Sequence, residues 1–170
     1  PEEKGYESYE DPDAYLRLGG ANAWSGLTID SKNGILFAPT GSVSYDFYGG
    51  DRKGDNLFAN SILAINAESG ERLWHYQTVH HDVWDRDLPA PPVIFNYKLK
   101  DSVIPALAQV TKSGYTFLLN RITGEPIYDI VERTVPSVSS LTGEKLSKTQ
   151  PTPTFPKPFS RQYLSNSDIN

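Results

Sequence analysis

Positions 80 to 87 read His-His-Asp-Val-Trp-Asp-Arg-Asp, three carboxylates and two imidazoles in eight residues. A carboxylate held near a substrate can act as a general base. The competing reading for Asp85 is a side chain that caps the turn before Leu88-Pro89. Asp82, Asp85 and Asp87 offer the oxygen ligands that a hard cation such as Ca²⁺ favours. The run lacks the glycine and distal glutamate of an EF-hand loop, so any cation there needs further ligands. His80 and His81 are adjacent, and adjacent strand residues point to opposite faces. With no third ligand at suitable spacing, they do not make a zinc site. One of them is expected to hydrogen-bond internally and order the Asp85 loop. Trp84 is read as core packing, and Arg86 as a possible partner of Asp82 or Asp87. Downstream, Lys112 sits in Thr111-Lys-Ser-Gly114. It is either an ordinary turn lysine or a cation facing an oxygen that gains negative charge during reaction.

Composition excludes several other chemistries. The 170 residues contain no cysteine, which removes disulfides, thiolate nucleophiles and cysteine-rich zinc sites. A net charge of −5 and a pI near 5.2 argue against a nucleic-acid partner. No apolar run approaches the roughly 20 residues that span a bilayer. Gly49-Gly-Asp-Arg-Lys-Gly54 is not a Walker loop, no strand–glycine–helix dinucleotide unit is present, and no Gly-x-Ser-x-Gly elbow occurs. The chain starts at Pro1 and has no methionine, where average usage gives roughly 3 to 4. Both facts suggest a piece of a larger protein.

The elements that must position these residues read as β-strands. Gly26 to Asp30 alternates, and Asn33-Gly34 is a strong hairpin signal because both residues tolerate positive φ. Ile35–Pro39, Asn60–Asn66 and Glu71–Gln77 continue the series, with a polar, glycine-rich excursion from 40 to 56. Pro92–Asn96, a strand within Ser102–Val110, Tyr115–Asn120 and Pro126–Ile130 repeat it. Ala64-Ile-Asn-Ala-Glu-Ser-Gly-Glu-Arg-Leu-Trp74 aligns with Leu118-Leu-Asn-Arg-Ile-Thr-Gly-Glu-Pro-Ile-Tyr128 at an offset of 54 positions. Asparagine ends a strand and bonds its own turn, glycine takes a left-handed conformation, and an aromatic residue then packs across the join. Four-stranded antiparallel units repeated at this spacing describe β-propeller blades. The expected organisation is an acidic exposed loop over 1–20, a first blade over 21–80, a second over 81–133, and a Pro/Ser-rich irregular connection over 134–170.

The repeat resembles the tryptophan-docking motif of quinoprotein dehydrogenases. Tyr76-Gln-Thr-Val-His-His-Asp-Val-Trp-Asp-Arg-Asp-Leu-Pro89 is similar to the stretch that carries the catalytic aspartate in the membrane-bound glucose and quinate/shikimate branch. Thr111-Lys-Ser-Gly-Tyr115 and Pro39-Thr-Gly-Ser-Val-Ser-Tyr-Asp-Phe-Tyr-Gly-Gly50 extend the match. The resemblance implies an all-β fold, two blades of an eight-bladed propeller, with pyrroloquinoline quinone (PQQ) and Ca²⁺ or Mg²⁺ as cofactors. It assigns Asp85 as proton acceptor and as a contact to cofactor and metal, and Lys112 as the residue facing the quinone. It also places a metal ligand in the 42–46 loop. Ser42 and Ser44 stand where relatives have asparagine, which weakens Ser44 as a ligand.

By the same resemblance, the whole protein oxidises a sugar, polyol or alcohol on the periplasmic side of the inner membrane, with an anchor outside this segment. Electrons pass to ubiquinone or a cytochrome. Two blades alone are expected to be inactive, with exposed edges free to pair with a second copy. The competing reading is a propeller scaffold of the outer-membrane assembly type, or a homologue without cofactor.

Overall fold

The computed structural model describes residues 4–169; Glu2 and Glu3 of the acidic segment lie outside them. A four-stranded antiparallel sheet comes first, in the order β1 (Thr28–Asp30), β2 (Ile35–Pro39), β3 (Ser61–Asn66) and β4 (Arg72–Gln77). Its up-and-down order follows from short polar turns between apolar runs. The β1–β2 turn takes four residues, 31 to 34, and ends on the expected Asn33-Gly34. Gly34 alone has positive φ, and Asn33 bonds the Asp30 carboxylate through its amide and side chain.

The second sheet has three strands, β5 (Val93–Leu99), β6 (Ser102–Val110) and β7 (Thr116–Asn120), with β5 paired to β6 over its whole length. The expected fourth strand, Pro126–Ile130, does not form. Pro126 lacks the N–H a ladder requires, and only an isolated bridge to Leu119 remains. The chain instead begins β8 (Ile130–Thr134) at the end of that stretch, and β8 pairs with β9 (Thr149–Pro153). β9 corrects the reading of 134–160 as free of regular elements. It tolerates Pro151 and Pro153 because it pairs on one side only.

Residues 4–20 contain two short 3₁₀ turns, Tyr6–Ser8 and Ala14–Leu16. This segment is not fully exposed. Ala14 is buried, Gly5 lies against the Phe58 ring, and the Ser8 hydroxyl accepts the Leu57 N–H at 2.7 Å.

The core lies between the two larger sheets. Ile35, Phe37, Ile62 and Ala64 of the first meet Leu107 and Leu119 of the second, with Leu88 between, and Trp74 and Tyr76 flank them. Trp74 bears out the repeat. Its ring crosses to the second unit, where Nε1 donates to the Arg121 carbonyl at 3.2 Å. A β-carbon on Gly124 would stand 2.7 Å from that ring. Arg121 Nε also meets Asp30 Oδ2 at 2.7 Å, largely buried, and ties the second sheet to the first.

Candidate active site

Two turns on one side of the sheets carry the candidate residues. The first is the 81–87 segment after β4. His81 and Asp85 both adopt positive φ, +45° and +55°, which turns the chain sharply. His81 is buried and its Nδ1 donates to the Gly54 carbonyl at 2.7 Å, so one histidine does order the loop internally. His80 instead contacts Gln77 Oε1 and Glu132. Trp84 is 68% exposed, which overturns its reading as core. The turn is only a few residues long, and both its ends point inward, so its middle side chains face solvent. The second turn, 111–114, follows β6 and is closed by Thr111 hydrogen bonds to Tyr115.

These turns converge. Lys112 Nζ donates to Asp85 Oδ1 at 2.8 Å and to Asp87 Oδ2 at 3.3 Å. Asp87 is the more deeply set acid. Its Oδ1 accepts the Ser42 amide at 2.6 Å and hydroxyl at 2.9 Å, and its Oδ2 accepts Trp24 Nε1 at 3.1 Å. Burial pushes the Asp87 carboxyl up, and the Ser42 bonds with the Lys112 charge more than offset it, leaving it below its ordinary range. Burial pulls the Lys112 ammonium down, but Asp85 and Asp87 together hold it above its ordinary value. The Trp24 ring lies 5.7 Å from Nζ, within cation–π reach. Trp24 and the contacts of Asp87 with Ser42 and Lys112 were not anticipated, although Ser42 belongs to the loop expected to reach the site. The two-residue spacing of Asp85 and Asp87, which puts both on one side of an extended chain, was the available signal for the last.

Asp85 and Lys112 remain partly exposed, at 39% and 32% of their side-chain surface. Beside Lys112 lies an open hollow of about 390 Å³, lined also by Arg86, Ser113, Ser160, Gln162 and Tyr163. Small-molecule sites occupy roughly 300–1,000 Å³. Ser113 Oγ is buried there without a hydrogen-bond partner. A lysine, an exposed arginine and an orphaned hydroxyl fit an anionic quinone, so the donor set suits PQQ.

The fit to a cation is poor. Among the described residues no group of three His, Asp or Glu side chains could hold a metal ion. Asp87 is fully engaged, and Asp85 gives one oxygen to Lys112. The Ser44 hydroxyl accepts the Gly19 N–H at 3.2 Å, while the hydroxyl that reaches the acidic cluster is Ser42's. These residues do not assemble a Ca²⁺ or Mg²⁺ site by themselves. Arg86 contributes its backbone N–H to Asp82, not an ion pair.

Comparison with known proteins identifies the family. The family model "PQQ: Glucose/ethanol/alcohol dehydrogenase, beta-propeller domain" matches residues 1–170. The chain is 36% identical to a quinate/shikimate dehydrogenase (quinone) of Acinetobacter baylyi over 160 residues, 93% of this chain and 20% of that protein. It is 43% identical to quinoprotein glucose dehydrogenase A of Acinetobacter calcoaceticus over 136 residues, 76% of this chain and 17% of that protein. A solved quinohemoprotein alcohol dehydrogenase of Pseudomonas putida superposes with a TM-score of 0.66 at 30% identity, covering 86% of this chain and 23% of that one. The chain thus spans about a fifth of the length of these relatives. With its antiparallel blades, its docking repeat and its acid–lysine pair, it belongs to the β-propeller domain family of PQQ-dependent dehydrogenases.

Proposed function

We propose that the protein carrying this chain oxidises a CH–OH group of a sugar, polyol or alcohol, with Asp85 as proton acceptor and Lys112 as the residue facing the cofactor. One observation carries the reading: Asp85 and Lys112, 27 positions apart, meet at 2.8 Å, and Lys112 lines an open hollow. PQQ, when bound there, supplies the acceptor for the hydride that leaves the carbinol carbon. Asp85 Oδ2 has no hydrogen-bond partner among the described residues, so it is free to take the hydroxyl proton as the C=O bond forms. An ammonium has three donors. Lys112 spends two on Asp85 and Asp87, and the third can reach a quinone oxygen that gains charge. Asp87, Ser42 and Trp24 hold the lysine in place and stay charged or neutral throughout.

The propeller-scaffold reading gives no reason for a partly exposed base to face a lysine. On the proposed reading, electrons leave to ubiquinone or a cytochrome, and the site faces the periplasm. No helix among the described residues is long and apolar enough to cross a membrane, so an anchor belongs to other segments. A Ca²⁺ or Mg²⁺ ion would need most of its ligands from those segments too. Produced alone, the chain would expose sheet edges for pairing with a second copy.

The test is quinone-dependent dye reduction by the full-length protein loaded with PQQ and Ca²⁺. Asp85→Asn should lower kcat by about 10²–10⁴-fold, the usual contribution of a general base, with the cofactor absorbance retained. Wild-type turnover in that variant overturns the assignment.

A further inference from the structure

Asp82 takes no part in the proposed chemistry, yet it is only 3% exposed and is the most heavily bonded acid of the 82–87 run in its contacts to backbone. Its Oδ1 accepts the Trp84 N–H at 2.8 Å, and its Oδ2 accepts the Arg86 N–H at 2.6 Å. It therefore grips the N–H groups of the residues before and after Asp85. Asn60 Nδ2 adds a bond to Asp82 Oδ2 at 2.8 Å and another to the Arg86 carbonyl at 3.1 Å. Behind it, buried Arg52 donates to the Asp82 carbonyl at 2.5 Å and to the Tyr45 carbonyl at 2.9 Å, while bonding Asn56 at 2.9 Å. The clamp is thus anchored in the polar excursion between β2 and β3.

The chain closes other turns more cheaply. Asn66 Oδ1 accepts the N–H groups of Glu68 and Ser69, and Asn120 Oδ1 accepts those of Ile122 and Thr123. Neutral asparagine suffices for those structural turns. At the Asp85 turn a carboxylate is buried instead. Burial pushes its acid range up, and bonds from Trp84, Arg86 and Asn60 offset this only in part. A buried charge is costly even when hydrogen-bonded. Buried Asp30 also closes a turn, between β1 and β2, but there it is the ion-pair partner of Arg121. What distinguishes the Asp82 turn is its cargo, a partly exposed aspartate at φ +55°, a conformation that strains any residue with a Cβ.

We propose that Asp82, supported by Asn60, is a positioning residue that fixes the aim of Asp85 at Lys112 by clamping the N–H groups of its two neighbours, Trp84 and Arg86. This rests on the reading of Asp85 as proton acceptor. Displacing a reacting group by about 1 Å can cost on the order of 10²-fold in rate. In the full-length holoenzyme, Asp82→Asn should therefore lower kcat per loaded cofactor by roughly 10²-fold, with KM and cofactor stoichiometry unchanged. Because Asp82 acts through Asp85, the Asp82→Asn/Asp85→Asn double variant should be no slower than Asp85→Asn alone. A merely structural carboxylate predicts a lower melting temperature and poorer loading, with kcat per loaded site unaltered; that result overturns the inference. Should Asp82→Asn fail to accumulate, Asn60→Ala decides: a several-fold loss of kcat per loaded site supports the clamp, and an unaltered kcat overturns it. An active Asp85→Asn variant topples the functional reading and the clamp together. An inactive Asp85→Asn beside a fully active Asp82→Asn topples the clamp alone.

Discussion

Lys112 bridges Asp85 and Asp87, at 2.8 and 3.3 Å, so one ammonium neutralises the outer edge of the acidic run. Lys112→Met should leave both acids without their cation and remove the donor facing the cofactor. The expected loss in kcat is about 10²–10³-fold, that of a deleted oxyanion donor. Lys112→Arg restores charge in a planar fork that cannot reproduce a point-like ammonium, so it should recover only part of the rate. Steady-state dye reduction by the full-length holoenzyme measures both; a Met variant at wild-type rate would refute the role.

Trp24 reaches this lysine in two ways, through its Nε1 bond to Asp87 and through its ring. Trp24→Phe keeps the ring and loses the bond, while Trp24→Leu loses both. Cofactor affinity, read by titration of the apoenzyme, should fall in the order wild type, Phe, Leu. A partly exposed hydrogen bond or cation–π contact is worth about 0.5–1.5 kcal/mol, so each step should be several-fold. Equal affinity across the series would show that the tryptophan is packing only.

Gly124 and Gly70 occupy equivalent places in the repeat, at φ +77° and +76°. A β-carbon at Gly124 meets the Trp74 ring at 2.7 Å, whereas one at Gly70 meets nothing within 4 Å. Gly70→Ala should cost only the left-handed strain, about 1–2 kcal/mol. Gly124→Ala adds a clash worth a further ~1–3 kcal/mol. Denaturant unfolding monitored by tryptophan fluorescence tests the difference; equal losses would mean the ring moves aside freely.

His81 gives a pH dependence. Its Nδ1–H is bound to the Gly54 carbonyl, and its Nε2 is buried without a partner. Burial holds the imidazole below its ordinary value of 6.5, and nearby Arg52 adds to this, while the Gly54 bond, Glu144 and Asp55 oppose it. A depressed imidazole contributes stability above the unfolded value, and that stability is lost as pH falls through the folded one. The melting temperature should decline as pH drops below about 6.5, and His81→Asn should flatten that decline. An unchanged slope in the variant would place the titrating group elsewhere.

Much of this was legible in the chain, and the misses share a physical cause. Strands β1 to β7 followed from alternation and turn residues, and Trp74 from the 54-residue repeat. Whatever depended on distant partners was hidden. β9 was obscured by its prolines, which are compatible with a strand paired on one side. Trp84 looked like core because aromatic residues usually are, but the clamps at Asp82 turn its part of the loop outward. Asp85 and Lys112 stood out only through family resemblance, since nothing local says that turns 27 positions apart will touch. Trp24, 63 positions from Asp87, left no trace in any sequence window.

The contact between Trp74 and Gly124 has a direction. Trp74 extends forward onto the second unit, and Tyr128, its counterpart in the repeat, lies forward against Phe155 with ring centroids 4.6 Å apart and tilted. Neighbours keyed in this one-way manner cannot exchange places. The order of these two units along the chain thereby sets which one receives the latch, and a permuted protein that cut between Trp74 and Gly124 would have to rebuild it across its new termini.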